Sequence, residues 1–368
     1  MSAQELENLY QLINESDLDG VAFNPGCTLF YLTGLEFHLM ERPILLLIKP
    51  GFSPALIVPE LESLKAESCA IDLDIDTYPD DPSQWQASFN RVCDRLQMTG
   101  EVIGVEAGQM RMLEMSYLQN AAPSVKLIPA DGLITQLRAK KKPEELERIR
   151  KAIQIAEKAF LDMLGCIHPG MNERQIASEL TIQLYRAGSD IRLPFDPIVA
   201  SGPNGANPHA VPGERTICSG DLVVVDWGAR FEGYISDLTR MVAFGKINQE
   251  LAKAHELVVK ANQAGREHCR PGYTAADVDR ATRKVIVEAG YGEFFTHRTG
   301  HGIGLEAHEA PYIHSGNTDR LTRGMTFTIE PGIYLPGLGG VRIEDNVAIT
   351  AEGREDLSNL PRELYVIS

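Results

Sequence analysis

Long apolar runs are missing from this chain of 368 residues: the longest, such as Ile44 to Ile48, have only the length of a strand and could not cross a membrane as a helix. The stretch Met1-Ser-Ala-Gln-Glu-Leu-Glu has neither a basic start nor an apolar core, so no export signal is legible in it. Positive charge is also short. With 35 Lys and Arg against 51 Asp and Glu, the net charge of -16 excludes the basic footprint of a nucleic-acid or anionic-membrane binder. The six cysteines, at 27, 69, 93, 166, 218 and 269, show no close pairing and no zinc-ribbon spacing. They are expected to be reduced, mostly buried thiols of a cytoplasmic protein. Gly300-x-Gly302-x-Gly304 brings its third glycine one residue too early for a dinucleotide fingerprint, and no nucleophile elbow accompanies the serines.

What the chain has is enough apolar material, 43% of residues, to bury large cores, and its length suits two domains. Residues 1–135 read as an α/β domain. Leu6, Leu9, Tyr10 and Ile13 form a helical stripe, Val21 to Phe23, Pro43 to Ile48 and Ala55 to Val58 read as strands, and Lys49 to Ser53 as a hairpin turn. Helices over about 83–96 and 110–120 flank a strand at Glu101 to Val105. The basic, proline-ended Leu137-Arg-Ala-Lys-Lys-Lys-Pro143 reads as the connector to a second domain over 136–368, opened by a helix with Leu146, Ile149, Ile153, Ala156 and Phe160 on one face.

The second domain carries the chemistry. Leu222-Val-Val-Val-Asp226-Trp-Gly228 reads as a buried strand, Ala229 to Gly233 as a turn and Tyr234 to Phe244 as the returning strand. A turn centred between Phe231 and Glu232 sets Asp226 directly opposite Asp237. Met325 to Glu330 and Val341 to Glu344, joined by a turn centred on Gly337, set Glu330 opposite Glu344 in the same way. By the strand period Thr239 shares the face of Asp237, and Arg342 that of Glu344.

The two hairpins occupy matching places in an internal repeat. Pro169-Gly170 and Ala187-Gly188 recur 102 residues on as Pro271-Gly272 and Ala289-Gly290; Gly220, Asp226 and Gly228 recur 104 residues on as Gly324, Glu330 and Gly332. Two such halves facing each other would gather four carboxylates. Buried acids need positive charge, and no lysine lies near these in the sequence. His301, among glycines, adds one imidazole. Four hard oxygen donors and one nitrogen suit a pair of Mn, Co, Fe or Zn ions better than a structural zinc, and two-metal sites of this kind hydrolyse amides through an acidified water.

The runs Asp226-Trp-Gly-Ala-Arg-Phe-Glu-Gly-Tyr-Ile-Ser-Asp237, Gly300-His301-Gly-Ile-Gly-Leu-Glu-Ala-His308-Glu309, Glu330-Pro-Gly-Ile-Tyr334 and Val341-Arg-Ile-Glu344-Asp345 resemble the pita-bread metallopeptidases, and among them the Xaa-Pro peptidases, prolidase and aminopeptidase P. The resemblance implies a creatinase-like N-terminal α/β domain serving dimerisation and site access, followed by a duplicated α+β catalytic domain. It implies two divalent ions per chain, manganese before cobalt, zinc or iron, held by Asp226, Asp237, His301, Glu330 and Glu344. Glu330 would also handle the proton, and His308 and His209 would act on substrate, with His297 beside them. Thr239 and Arg342 would support the ligands. Short proline-containing peptides are the implied substrates and a homodimer the implied assembly. One position departs from the prolidase pattern. Where the fourth residue after the second histidine is commonly an arginine that grips the dipeptide carboxylate, this chain has Tyr312, which leaves two readings: Arg298 substitutes for it, or the enzyme accepts longer peptides as aminopeptidase P does. The alternative from another class is a pita-bread protein without catalysis, a binding module for peptides or proteins, which would typically have lost metal ligands that this sequence retains. His168, His255, His268 and His314 lack ligand spacing and are expected at the surface or at helix caps.

Overall fold

A computed structural model describes residues 3–69 and 71–367, and the chain divides into two compact units, Met1–Arg138 and Ala139–Ser368. The first unit is built on one mixed sheet in the order β4-β3-β2-β1-β5-β6, with β1 at Gly20–Phe23, β2 at Leu45–Ile48, β3 at Ala55–Pro59, β4 at Asp74–Tyr78, β5 at Val102–Val105 and β6 at Lys126–Pro129. The alternation along its central strands explains the layers. Phe23, Leu46, Ile48, Leu56 and Val58 face one core with α1 (Ala3–Asn14), α2 (Cys27–Thr33), α3 (Ser63–Glu67) and α6 (Asp131–Arg138). Ala22, Leu45, Leu47 and Ile57 face the other, covered by α4 (Trp85–Arg95) and α5 (Met112–Ala121). The expected elements of this half are all present, and β2 and β3 pair antiparallel about Gly51 as the hairpin reading requires.

The second unit begins with α7 (Pro143–Leu164) and α8 (Glu173–Ala187), followed by β7 (Ile198–Ser201), β8 (Leu222–Trp227), the short β9 (Arg230–Phe231) and β10 (Tyr234–Ile235), and β11 (Leu238–Phe244). The second half repeats the plan: α9 (Gln249–Glu267), α10 (Ala275–Glu288), β12 (Gly300–Gly302), β13 (Glu309–Ile313), β14 (Thr326–Ile329), the pair β15 (Gly332–Leu335) and β16 (Gly339–Arg342), β17 (Asp345–Ile349), β18 (Arg354–Asp356) and β19 (Tyr365–Ile367). The sheet orders β11-β8-β7 and β17-β14-β12 match, all antiparallel. The repeat extends to small parts. Asn172 and Thr274 cap α8 and α10 with equivalent capping boxes, and each forms an isolated bridge, to Thr216 and to Arg320. Gly188 and Gly290, and Gly220 and Gly324, all have the left-handed backbone.

One register differs from the sequence reading. Asp226 pairs with Thr239, not with Asp237, because the hairpin closes on the two residues Glu232 and Gly233, with φ of 48° and 85°, while Arg230 and Phe231 pair with Ile235 and Tyr234. The shift is an even number of residues, so Asp226 and Asp237 remain on one face, diagonally placed. The second hairpin keeps its expected register from Thr326↔Ala348 through Ile329↔Asp345 to Leu335↔Gly339, which sets Glu330 across from Glu344.

Candidate metal centre

Trp227 explains why Asp226 points where it does. Its ring stacks on Phe160 at 4.5 Å between centroids and its Nε1 donates to the Ala156 carbonyl, which pins that face of β8 to α7 and turns Asp226 to the opposite face. Asp237 and Thr239 share the acid face through the ladder. His301 stands in β12, flanked by β13 and β14, where glycine is obligatory on both sides: a Cβ at Gly300 would lie 1.9 Å from the Thr328 carbonyl, and one at Gly302 would lie 2.2 Å from that of Ala310.

The duplicated hairpins bring the expected groups to one cavity of about 520 Å³, lined by Asp226, Asp237, His301, Glu330 and Glu344. Asp237, His301 and Glu344 each present a ligand atom within 4.8 Å of the others. His301 Nε2 lies 3.2 Å from Glu330 Oε1 and 3.7 Å from Asp237 Oδ2. Asp226 stands slightly apart. Its Oδ2 accepts from Arg342 at 2.5 Å, whereas Oδ1 is buried with no hydrogen-bond partner among the described residues. Burial pushes Asp237 and Glu344 well above the ordinary carboxylate range, and the neighbouring acids add to the shift. Burial also raises Asp226, against the charge of Arg342. Glu330 goes the other way: although burial opposes ionisation, the hydrogen bond and charge of His301, with His297 and Arg342, bring it to about 2. Clustered buried acids with an orphaned oxygen and an imidazole fit divalent ions, which would compensate all of them at once.

The supporting residues are where the strand period puts them. Thr239 Oγ1 donates to Glu344 Oε2 at 2.8 Å, and Arg342 Nε donates to Thr239 Oγ1 at 3.1 Å. The sequence reading missed Tyr334, whose hydroxyl accepts from Arg342 Nη1 at 2.8 Å and faces His297 Nε2 at 2.9 Å. Because His297 Nδ1 faces the Arg298 carbonyl at 2.8 Å, Nε2 is the bare nitrogen and the tyrosine donates to it. A buried tyrosine in a strand was the available signal, since its hydroxyl needs a partner. Missed too was Arg240, fully buried beside Glu344, donating to the carbonyls of Thr239 and Glu344 and to Asp345 Oδ1.

Three further histidines reach the cavity. His308 sits at its rim with its ring 4.1 Å from that of His301, and partial burial, with the charges of His301 and Arg298, lowers its pKa to about 4. His209 and His297 line the wall, as does Arg298. Tyr312 does not line it; it lies outside, exposed, with the Arg298 guanidinium over its ring at 4.5 Å. Phe195, Ile198, Pro208 and Ala307 form the apolar wall, which no sequence period announced. Of the histidines set aside, His268 caps α9 through the Ala264 carbonyl, but His255 is buried and bonded to the Arg362 carbonyl, a core position where surface was expected. The thiols also differ: only Cys93 and Cys269 are buried, while Cys166 and Cys218 are exposed.

Comparison with known proteins gives a consistent result. Residues 147–351 match the model of metallopeptidase family M24, and residues 5–140 that of the creatinase/prolidase N-terminal domain. A Xaa-Pro dipeptidase of Lactobacillus helveticus is 34% identical over 363 residues, 98% of both chains, and one of Pyrococcus furiosus is 35% identical over 362 residues, 98% of this chain and 99% of that one. The crystal structure of a recombinant prolidase from Thermococcus sibiricus superposes with a TM-score of 0.94 at 33% identity, covering 100% of both chains. An X-Pro aminopeptidase from Thermotoga maritima superposes at 0.83 with 31% identity, over 97% of this chain and 100% of that one. With its creatinase-like N-terminal domain and duplicated pita-bread domain, the chain belongs to metallopeptidase family M24.

Proposed function

We propose that this enzyme hydrolyses the bond before proline in short peptides, with the free dipeptide as its preferred substrate. The observation that carries the reading is the convergence of Asp226, Asp237, His301, Glu330 and Glu344 on a single cavity that also holds three further histidines and Arg298. The names of the relatives that match nearly the whole chain support it.

Asp226, Asp237, His301, Glu330 and Glu344 would hold two divalent ions, manganese first. Bound there, the ions supply an acidified water and a polarised carbonyl. The chain's own groups do the rest. Glu330 takes the proton from the attacking water and returns it to the proline nitrogen, which as a tertiary amide has no hydrogen of its own. His308, at the rim beside His301, donates to the oxyanion that develops on the scissile carbonyl, and His209 and His297 position the substrate from the wall. Phe195, Ile198 and Pro208 give the proline ring an apolar surface. Arg298 lines the cavity with no ion pair among the described residues, and it takes the free carboxylate in place of the usual arginine, its guanidinium held over Tyr312.

A homodimer and a cytoplasmic setting complete the reading. The family resemblance supports the first; the second has the support of six cysteines that stand free, two of them exposed. The binding-module alternative has the retained ligand set against it. The test is turnover of Xaa-Pro and Xaa-Pro-Xaa peptides by manganese-loaded protein, with Glu330→Gln and His301→Ala as controls. Cleavage by the wild type, lost in both folded variants, is expected. Failure to cut either peptide class would overturn the assignment.

A further inference from the structure

His209 reaches the cavity from a loop, and its own side chain makes no hydrogen bond or ion pair among the described residues. Where its ring stands is therefore set by the backbone that carries it. That backbone runs from Ser201, the end of β7, through Pro208 and His209 to Gly213. Such a span would fluctuate if only its ends were held by the chain, and loop closure over a dozen residues carries an entropic cost.

Glu173, the first residue of α8, lies under this loop. It is only 1% exposed, and among the described residues it has no ion pair. The Arg215 guanidinium is near enough to act on it but donates to Ser201 Oγ and Asp221 instead, and a buried carboxylate so placed is costly unless hydrogen bonds satisfy both oxygens. Here they do, and every donor belongs to the loop or its base. Oε1 accepts from Ser201 N at 2.6 Å and from Ser201 Oγ at 2.7 Å; Oε2 accepts from Asn204 Nδ2 at 2.8 Å and from Gly213 N at 2.9 Å. One carboxylate thus ties the first residue of the loop to its last, with a third point between. On the other side, the Pro208 carbonyl accepts from Arg342 Nη1 at 3.1 Å, so the loop is fixed at its base and beside His209.

We infer that Glu173 is a positioning residue for the reaction, a staple that sets His209 against the substrate. The device lies outside the duplicated frame: 102 residues on, the equivalent position is Ala275, whose side chain offers no acceptor. The inference rests on the reading of His209 as a substrate residue.

A double-mutant cycle on the manganese-loaded full chain, with leucyl-proline as substrate, tests it. Glu173→Gln keeps the acceptor for Ser201 but turns an amide NH2 toward Asn204 and Gly213, opening one side of the staple. His209→Ala is expected to lower kcat/KM about a hundredfold, and Glu173→Gln about tenfold at unchanged metal content. If Glu173 acts through His209, the double variant stays within about twofold of His209→Ala alone, whereas independent effects multiply. A multiplied loss, or wild-type kcat/KM in Glu173→Gln, overturns the staple. Wild-type activity in His209→Ala overturns the substrate role of His209 first, so the two failures are distinct. Should Glu173→Gln not fold, Asn204→Ala removes one point of the staple and enters the same cycle.

Discussion

Arg342 places Nη2 2.5 Å from Asp226 Oδ2, while the other oxygen of that carboxylate is buried without a partner among the described residues. The guanidinium thus compensates half of one acid in a cluster of four, and the free oxygen is left to a cation.

The stability of Arg342→Met is therefore expected to depend on metal more steeply than that of the wild type. Removing one member of a buried pair costs about 3–5 kcal/mol, most of it from the stranded charge. Divalent ions supply positive charge to the same carboxylate, and without the repulsion of the guanidinium they bind the variant more tightly. Ions that bind only the folded state add about 3 kcal/mol at a hundredfold their dissociation constant. Melting curves with chelator and with manganese should show a larger metal-induced rise in the variant. Equal rises would mean that Arg342 does not share Asp226 with the metal.

Arg240 links the two halves of the repeat beside Glu344. Fully buried on β11, it donates to the carbonyls of Thr239 and Glu344 and to Asp345 Oδ1, and Arg362 Nε completes that carboxylate at 2.7 Å from Oδ2. Arg240→Leu leaves Asp345 with a poorer set of partners and takes a donor from the carbonyls of Thr239, Glu344, Leu360 and Pro361. A loss of about 3–5 kcal/mol in chemical denaturation is expected, together with weakened metal retention because Glu344 follows its carbonyl. A variant of unchanged stability would show that Arg362 and Arg266, whose Nε lies 3.6 Å from Asp345 Oδ2, suffice for Asp345.

Which parts of this design were legible in the sequence follows from how far each interaction reaches. The acids could be placed on common faces because strand parity is local, and parity survives an even error of register such as the one at Glu232-Gly233. That register was misread because a glutamate with positive φ gives no warning in the sequence, whereas Pro336-Gly337 announced its turn. Tyr334, Arg240 and Glu173 went unseen for a different reason. Arg240 meets Asp345 across 105 positions and Glu173 meets Ser201 across 28, and no periodicity connects such partners. The apolar wall likewise comes from separate loops. Tyr312, chosen by its spacing from His308, lies outside the cavity because β13 turns alternate residues to opposite faces, and Pro311, not Tyr312, is the buried one.

Acid sensitivity is expected at a point remote from the ions. Arg215 holds Asp221 with paired hydrogen bonds of 2.8 Å, and although burial opposes ionisation, this arginine and the Cys218 amide keep the Asp221 pKa below its ordinary value. A depressed folded pKa means that the unfolded chain binds the proton more readily. The contribution is therefore complete above the unfolded value of about 4 and disappears as pH falls through the lower folded one. Melting temperatures of apo protein between pH 6 and about 3 should fall more steeply for the wild type than for Asp221→Asn, which has no proton to gain. Parallel curves would assign the acid loss to other groups.

Arg298 offers the sharpest test of substrate choice. Its guanidinium lies over Tyr312 at 4.5 Å and faces the cavity without a carboxylate partner among the described residues, so a substrate carboxylate would be its first. Hydrogen bonds to charged groups contribute about 1.5–3 kcal/mol, which corresponds to roughly a tenfold to hundredfold change in binding. Arg298→Met is expected to raise KM for leucyl-proline by that factor with little change in kcat, because the contact is made equally in ground state and transition state. Leucyl-prolinamide, which lacks the charge, should bind the wild type weakly and the variant no worse. Equal losses on the acid and the amide would place Arg298 in the scaffold of the rim and would return the carboxylate to solvent, leaving the chain free to accept longer peptides.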